Sequence, residues 1–202
     1  MSLRNKSILL ILLILLVDQL LKFWIKTNMT LGEEIKVAGN WFIIHFTENN
    51  GMAFGMEFWG KGGKLFLSIF RIVAIGAIGY YIYHLIKEKA STGLVLGISL
   101  ILAGAIGNLI DSAFYGNIFN ESWTEPAKLF PSEGGYSNFL HGRVVDMFYF
   151  PIIYTTWPSW VPWLGGEQFI FFRPVFNIAD SAITTGVLYL LIFQNKVLFG
   201  KN

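Results

Sequence analysis

Four apolar stretches, each about as long as a bilayer is thick, constrain this chain more than any other feature of its sequence. A helix needs about 20 mostly apolar residues to cross the roughly 30 Å hydrocarbon core. Ser7–Lys26, Lys64–Lys87, Gly93–Tyr115 and Phe176–Phe199 meet that length, leaving outer loops over about 27–63 and 116–175. Composition agrees: 54% of the 202 residues are hydrophobic and 14% charged, against roughly 25% charged in a water-soluble domain. The expected fold is therefore an all-α polytopic membrane protein over residues 1–202, with four transmembrane helices in one domain. Arg4 and Lys6 ahead of Ile8–Val17 resemble the start of a secretory signal peptide, but no small-residue cleavage site follows, so a retained first span is expected.

Basic residues orient the spans. Arg4, Lys6, Lys87, Lys89, Lys196 and Lys201 flank them on one side in very short segments, which places both termini in the cytoplasm. The opposite side mixes signs and carries all seven tryptophans, whose indole rings favour the headgroup layer. All six prolines lie between Pro126 and Pro174, which makes that region extramembrane or interfacial. Trp41–Phe46, bounded by Gly39-Asn40 and Asn49-Asn50-Gly51, reads as a strand, so a small β-element is expected on the outer face. In the third span, Gly93/Gly97 and Ala103/Gly107 have the small-xxx-small spacing that lets helix backbones approach closely.

Ionisable residues inside spans are the informative ones, since each costs about 2.5–3.5 kcal/mol at a helix centre on insertion scales. With the orientation above, Asp18 and Lys22, Arg71, Asp111 and Asp180 share a depth just below the outer surface, and Asp146 can return to it. That convergence reads as a site. Each member also has a plain structural role: Asp18 with Lys22 as an i, i+4 ion pair, Arg71 snorkelling outward, Asp111 as a cap or ion-pair acceptor, Asn177 as an N-cap, and Asp180 complementing a helix dipole. The plain roles leave the common depth unaccounted for.

The chain has no cysteine, which removes thiol nucleophiles, thiolate metal sites and disulfides. His45, His84 and His141 lack metal-ligand spacing, and Ser112 and Ser181 lack a nucleophile-elbow context, so neither a metal nor another cofactor is expected. A net charge of +2 without a Lys/Arg run gives no footprint for nucleic acid. Carboxylates remain. Two close ones share a proton, and such a pair can hydrolyse a peptide bond with water alone. A transporter would spread its acids through the membrane depth and often repeat its spans, and a scaffold would need no matched aspartates.

Five segments together resemble the lipoprotein signal peptidases (signal peptidase II): Asp18-Gln19-Leu20-Leu21-Lys22, Asn49–Gly55, Gly107-Asn108-Leu109-Ile110-Asp111, Gly142-Arg143-Val144-Val145-Asp146 and Phe176-Asn177-Ile178-Ala179-Asp180-Ser181. The resemblance implies Asp146 and Asp180 as the catalytic pair of an aspartic endopeptidase. It implies Asn49, Gly51, Asn108 and Asn177 lining the site, with Asp18, Lys22 and Asp111 as polar support. It also implies a bacterial inner-membrane location, a lipid environment, and a prolipoprotein substrate with a diacylglyceryl-modified cysteine, cut just before that cysteine. A monomer is expected. Where the family usually has arginine after the third-span aspartate, this chain has Ser112, so Arg143 or Arg71 is expected to supply the charge. The aromatic segments around Gly116–Leu140 and Phe150–Arg173 are long for the family and read either as a lid or as an interfacial platform.

Overall fold

The computed structural model describes residues 1–50, 60–194 and 200. Helix α1 runs over Leu3–Asn28, capped by the Ser2 hydroxyl accepting from the Asn5 amide. Its buried residues Asp18, Lys22, Ile25 and Lys26 recur at helical spacing on one stripe, while Leu9, Leu12, Leu13, Leu16 and Leu20 stand exposed. A helix that hides its charges and displays its leucines is built for lipid as solvent. Helix α2 (Gly60–Lys87) likewise displays Phe66, Ile69, Phe70 and Val73. Helix α3 (Thr92–Ile110) is the centre of the bundle and packs against α1, α2 and α5 (Ile178–Phe193).

Glycines set how closely α3 and α5 approach. A Cβ built on Gly104 would collide with the Ala179 carbonyl, and one on Gly107 would lie 3.1 Å from the Ala179 Cβ. Gly104 stands outside the two small-residue pairs expected from the sequence, yet it makes the tighter approach to α5.

Among the described residues, three helices are long and apolar enough to cross a membrane: Leu3–Asn28, Gly63–Lys87 and Thr92–Ile118. The expected fourth span differs at its start. Val175–Phe176 forms a strand, so α5 begins at Ile178, and its 16 described residues form a shorter apolar helix. Residues 195–199 of that expected span lie outside the described residues.

The β-element is larger than expected. Strands β1 (Glu34–Ala38), β2 (Phe42–Asn49), β3 (Val144–Tyr149) and β6 (Val175–Phe176) form one antiparallel sheet in the order β1-β2-β3-β6. Strands β4 (Ile153–Thr156) and β5 (Gln168–Phe171) form a separate hairpin. A buried cluster of Ile25, Met29, Phe46, Phe119, Val145 and Met147 ties the sheet to the end of α1.

Helix α3 does not stop at Ile110. It widens into a π-turn over Asp111–Tyr115 and closes with the helical turn α4, Gly116–Ile118. The carbonyls of this stretch are used by the returning chain: Leu140 N–H donates to Ala113 O (3.3 Å), Gly142 N–H to Ser112 O (2.8 Å) and Ser137 N–H to Gly116 O (2.8 Å). Gly142 has no room for a side chain, because a Cβ there would meet the Asp111 carbonyl. The π-turn is thus the dock that aims residues 142–146 back at the bundle, consistent with the tendency of such turns to occur at functional sites.

Candidate active site

Lys22 is the hub. Its ammonium lies 2.9 Å from Asp18 Oδ2 and 2.8 Å from Asp111 Oδ2, with all three side chains fully buried. Its third contact donates to Asn108 Oδ1 at 3.0 Å. An ammonium has three donors, so this lysine is saturated. Each aspartate carries the connection to another element. Asp18 Oδ1 accepts from the Ala179 amide in the first turn of α5 (2.9 Å), and Asp111 Oδ2 accepts from the Val145 amide of β3 (3.2 Å). A charged pair taken out of water is stable only when its remaining lone pairs are satisfied, and here they are.

The residue that follows each of those two amides is one of the paired carboxylates. Asp180 follows Ala179, and Asp146 follows Val145. Asn177 joins them. Its side-chain amide donates to Asp146 Oδ1 at 2.7 Å, and its backbone N–H lies 3.4 Å from Asp180 Oδ2. Its side-chain oxygen accepts from the Asp180 amide at 2.9 Å, completing a capping box at the start of α5. Asn108 holds the other side, donating to Asp180 Oδ1 at 2.8 Å while its oxygen accepts from Asn177 and Lys22. Asn49, the last residue of β2, donates to Asp146 Oδ2. The two acids therefore face a shared set of amides, and Asp180 is among the charges acting on Asp146.

Burial dominates the electrostatics of Asp146. It pushes the carboxyl up to about 7, and the neighbouring charge of Asp180 adds to the rise. The Lys22 cation and the amides of Asn49 and Asn177 oppose it and are outweighed. Asp146 therefore keeps its proton to far higher pH than an exposed carboxyl would.

Other expected residues fall in different places. Gly51 lies outside the described residues. Arg71 turns inward: Nη1 donates to Ser112 Oγ at 3.2 Å, and the charges of Asp180 and Asp111 act on its guanidinium. Arg143 is elsewhere. It pairs with Glu48 (Nε to Oε2, 3.1 Å) and Glu121, with its guanidinium over the Tyr136 ring at 4.3 Å. Of the two arginines expected to answer for Ser112, Arg71 is the one brought beside it, because Arg143 is drawn off by two carboxylates and an aromatic face.

Sequence reasoning assigned no role to Gln19 as a connector. Its amide nitrogen, with two N–H donors, lies within hydrogen-bonding distance of Asp111 Oδ1 (2.9 Å), Asp18 Oδ2 (3.0 Å) and the Gly107 carbonyl (3.3 Å), and its oxygen accepts from Tyr115 (3.3 Å). Its signal was an amide directly beside a charge inside an apolar span. A second missed group is Lys26 with Glu48, which are 2.5 Å apart and almost wholly buried. Glu48 immediately precedes Asn49, so this pair anchors the strand end that reaches Asp146.

Comparison with known proteins bears on the same residues. The family model for signal peptidase (SPase) II matches residues 10–196, which contain every member of the cluster. The lipoprotein signal peptidase of Porphyromonas gingivalis is 56% identical over 184 residues, covering 91% of this chain and 80% of that protein. That of Amoebophilus asiaticus is 41% identical over 184 residues, covering 90% and 74%. A bacterial membrane enzyme solved by the in meso method superposes with a TM-score of 0.63 at 26% identity, covering 98% of this chain and 95% of the other. A bundle with lipid-facing helices and a buried aspartate cluster, matched along nearly its full length, belongs to the signal peptidase II family of membrane-embedded aspartic peptidases.

Proposed function

We propose that this protein removes the signal peptide from diacylglyceryl-modified prolipoproteins, cutting just before the lipidated cysteine, with Asp146 and Asp180 as its catalytic pair. The observation that carries the reading is Asn177, which hydrogen-bonds both carboxylates while Asp146 is pushed up to about 7. One proton held between two acids is the resting state that this hydrolysis needs.

In the proposed sequence, Asp146 holds the proton and Asp180 is ionised. Asp180 takes a proton from water as the water oxygen attacks the scissile carbonyl, and Asp146 gives its proton to the carbonyl oxygen. The diol then collapses: Asp180 returns its proton to the leaving nitrogen, Asp146 recovers one from the diol, and the C–N bond breaks. Both acids end as they began. Asn49, Asn108 and Asn177 keep the carboxylates in place, and Gly51 lies on the segment following Asn49. Lys22, Asp18 and Asp111 tie α1, α3, α5 and β3 together beneath them.

The same reading takes α5 as part of the fourth crossing of a bacterial inner membrane, with both termini cytoplasmic. The tryptophans and the sheet would lie on the outer face, where a lipidated cysteine is held by its acyl chains. On the same reading the protein acts as a monomer.

Purified protein in lipid nanodiscs should cleave a diacylglyceryl-modified prolipoprotein and leave its unlipidated form intact. Equal cleavage of both forms would remove the substrate assignment, and cleavage of neither would remove the activity.

A further inference from the structure

The β4–β5 hairpin takes no part in the site, and its composition is unusual for a segment facing water. Residues 151–166 contain no charged side chain. Trp160 is 80% exposed and Trp163 96% exposed, and Ile152, Ile153, Leu164, Phe171 and Phe172 are also exposed. Contiguous exposed apolar surface of this kind marks a binding surface.

The hairpin's backbone indicates what it binds. Its strands pair over four registers from Ile153–Phe171 to Thr156–Gln168. The tip closes on itself: Trp157 N–H donates to Glu167 O, Gly166 N–H to Trp157 O, Val161 N–H to Pro158 O and Gly165 N–H to Val161 O. Pro158 and Pro162 have no N–H to satisfy. These bonds meet part of the tip's backbone demand from within, which lowers the cost of taking it out of water. Trp163 adopts a positive φ of 62°, an uncommon conformation for a bulky residue.

The feet of the hairpin are fixed at the head of α5. Phe150 stacks on Phe42 at 4.7 Å and on Phe176 at 5.8 Å, and Phe172 meets Phe176 edge-on at 6.0 Å. Ile178, two residues later, starts the helix whose Val187, Leu188, Leu191 and Ile192 are exposed apolar side chains. The feet of the hairpin thus sit at the head of a helix whose later turns present apolar side chains outward. An uncharged indole-bearing tip at that level fits the headgroup–acyl boundary, where a ring body and an N–H donor are both accommodated.

We infer that the β4–β5 hairpin is a lipid-surface anchor that, in the membrane orientation proposed above, seats Trp160 and Trp163 in the outer leaflet's interfacial layer beside the head of α5. Of the two expected readings of this segment, the inference takes the platform. A soluble protein partner is the competing occupant, and it would leave the tip in water when absent.

The chain lacks cysteine, so Trp163→Cys carries one label without other changes. The variant would be spin-labelled and reconstituted in bilayers of phosphatidylcholine and phosphatidylglycerol. Collisions with oxygen, which concentrates in lipid, are compared with those of a water-soluble nickel complex. Leu188→Cys on α5 and Glu133→Cys in the other outer loop serve as lipid and water references. The expected result is oxygen-dominated collision at position 163, with the nickel complex largely lost relative to position 133, and the same at Trp160→Cys. Nickel accessibility at both positions equal to that at position 133 would overturn the inference. The readout is a depth, so it stands or falls separately from whether the protein cleaves a prolipoprotein.

Discussion

Glu48 should matter more to stability than Lys26, although they form one ion pair. The pair is 2.5 Å apart with side chains 1% and 0% exposed, and Glu48 also meets Arg143 at 3.1 Å. Lys26→Met leaves Glu48 still paired to Arg143, while the methionine keeps the apolar stem among Phe46, Phe119 and Tyr136. Glu48→Gln instead leaves Lys26 without its carboxylate and Arg143 with Glu121 alone. Removing one partner of a buried pair costs about 3–5 kcal/mol, because the other charge stays buried and uncompensated. We expect Glu48→Gln to fall in that range and Lys26→Met to cost about half as much. The double variant should cost less than the sum, by a coupling of about 0.5–3 kcal/mol. Equilibrium unfolding in mixed micelles of increasing denaturing-detergent fraction reads all three. A loss for Lys26→Met equal to or above that of Glu48→Gln, or strict additivity, would refute the reasoning.

Further outcomes follow from the site and the helix contact. Because the folded state pushes Asp146 up to about 7, it holds a proton that the unfolded chain has released. Stability from this group is therefore complete below the ordinary carboxylate value, about 4, and is lost as pH rises through about 7. The wild-type melting temperature should decline over that window, and Asp146→Asn should flatten the decline; parallel slopes would contradict it. Cleavage should likewise fall as pH rises above about 7, since Asp146 then loses the proton it donates. Asn177→Ala removes a helix cap, worth roughly 0.5–2 kcal/mol, together with the amide on Asp146, so activity should fall much further than thermal stability. Gly104→Ala puts a Cβ against the Ala179 carbonyl, and should lower the melting temperature more than Gly76→Ala on α2, where a Cβ meets nothing within 4 Å.

Much of this arrangement was legible in the sequence because lipid makes charge conspicuous. Asp18, Lys22, Arg71 and Asp111 stood out in apolar spans, and orientation alone brought them to one depth, where the structure joins Lys22 to Asp18 and Asp111. What stayed hidden depended on hydrogen bonds between distant segments. The π-turn at Asp111 leaves no compositional trace, yet its carbonyls dock residues 137–142 and so place β3. Asp146 reaches the cluster on a strand of a four-stranded sheet, whereas its local sequence showed only a short apolar run. Arg143 was grouped with the site by its neighbours in sequence, but β3 sends it toward Glu48 and Glu121 instead. Short apolar runs do not reveal their partners, and register is settled by contacts across the sheet.

The most direct measurement of the central claim is single-turnover cleavage of a diacylglyceryl-modified prolipoprotein by the wild type, Asp146→Asn and Asp180→Asn in the same nanodiscs. The account expects the wild type to cut and each variant to lose cleavage while still melting cooperatively. Retained cleavage in either folded variant would contradict the assignment of the two aspartates.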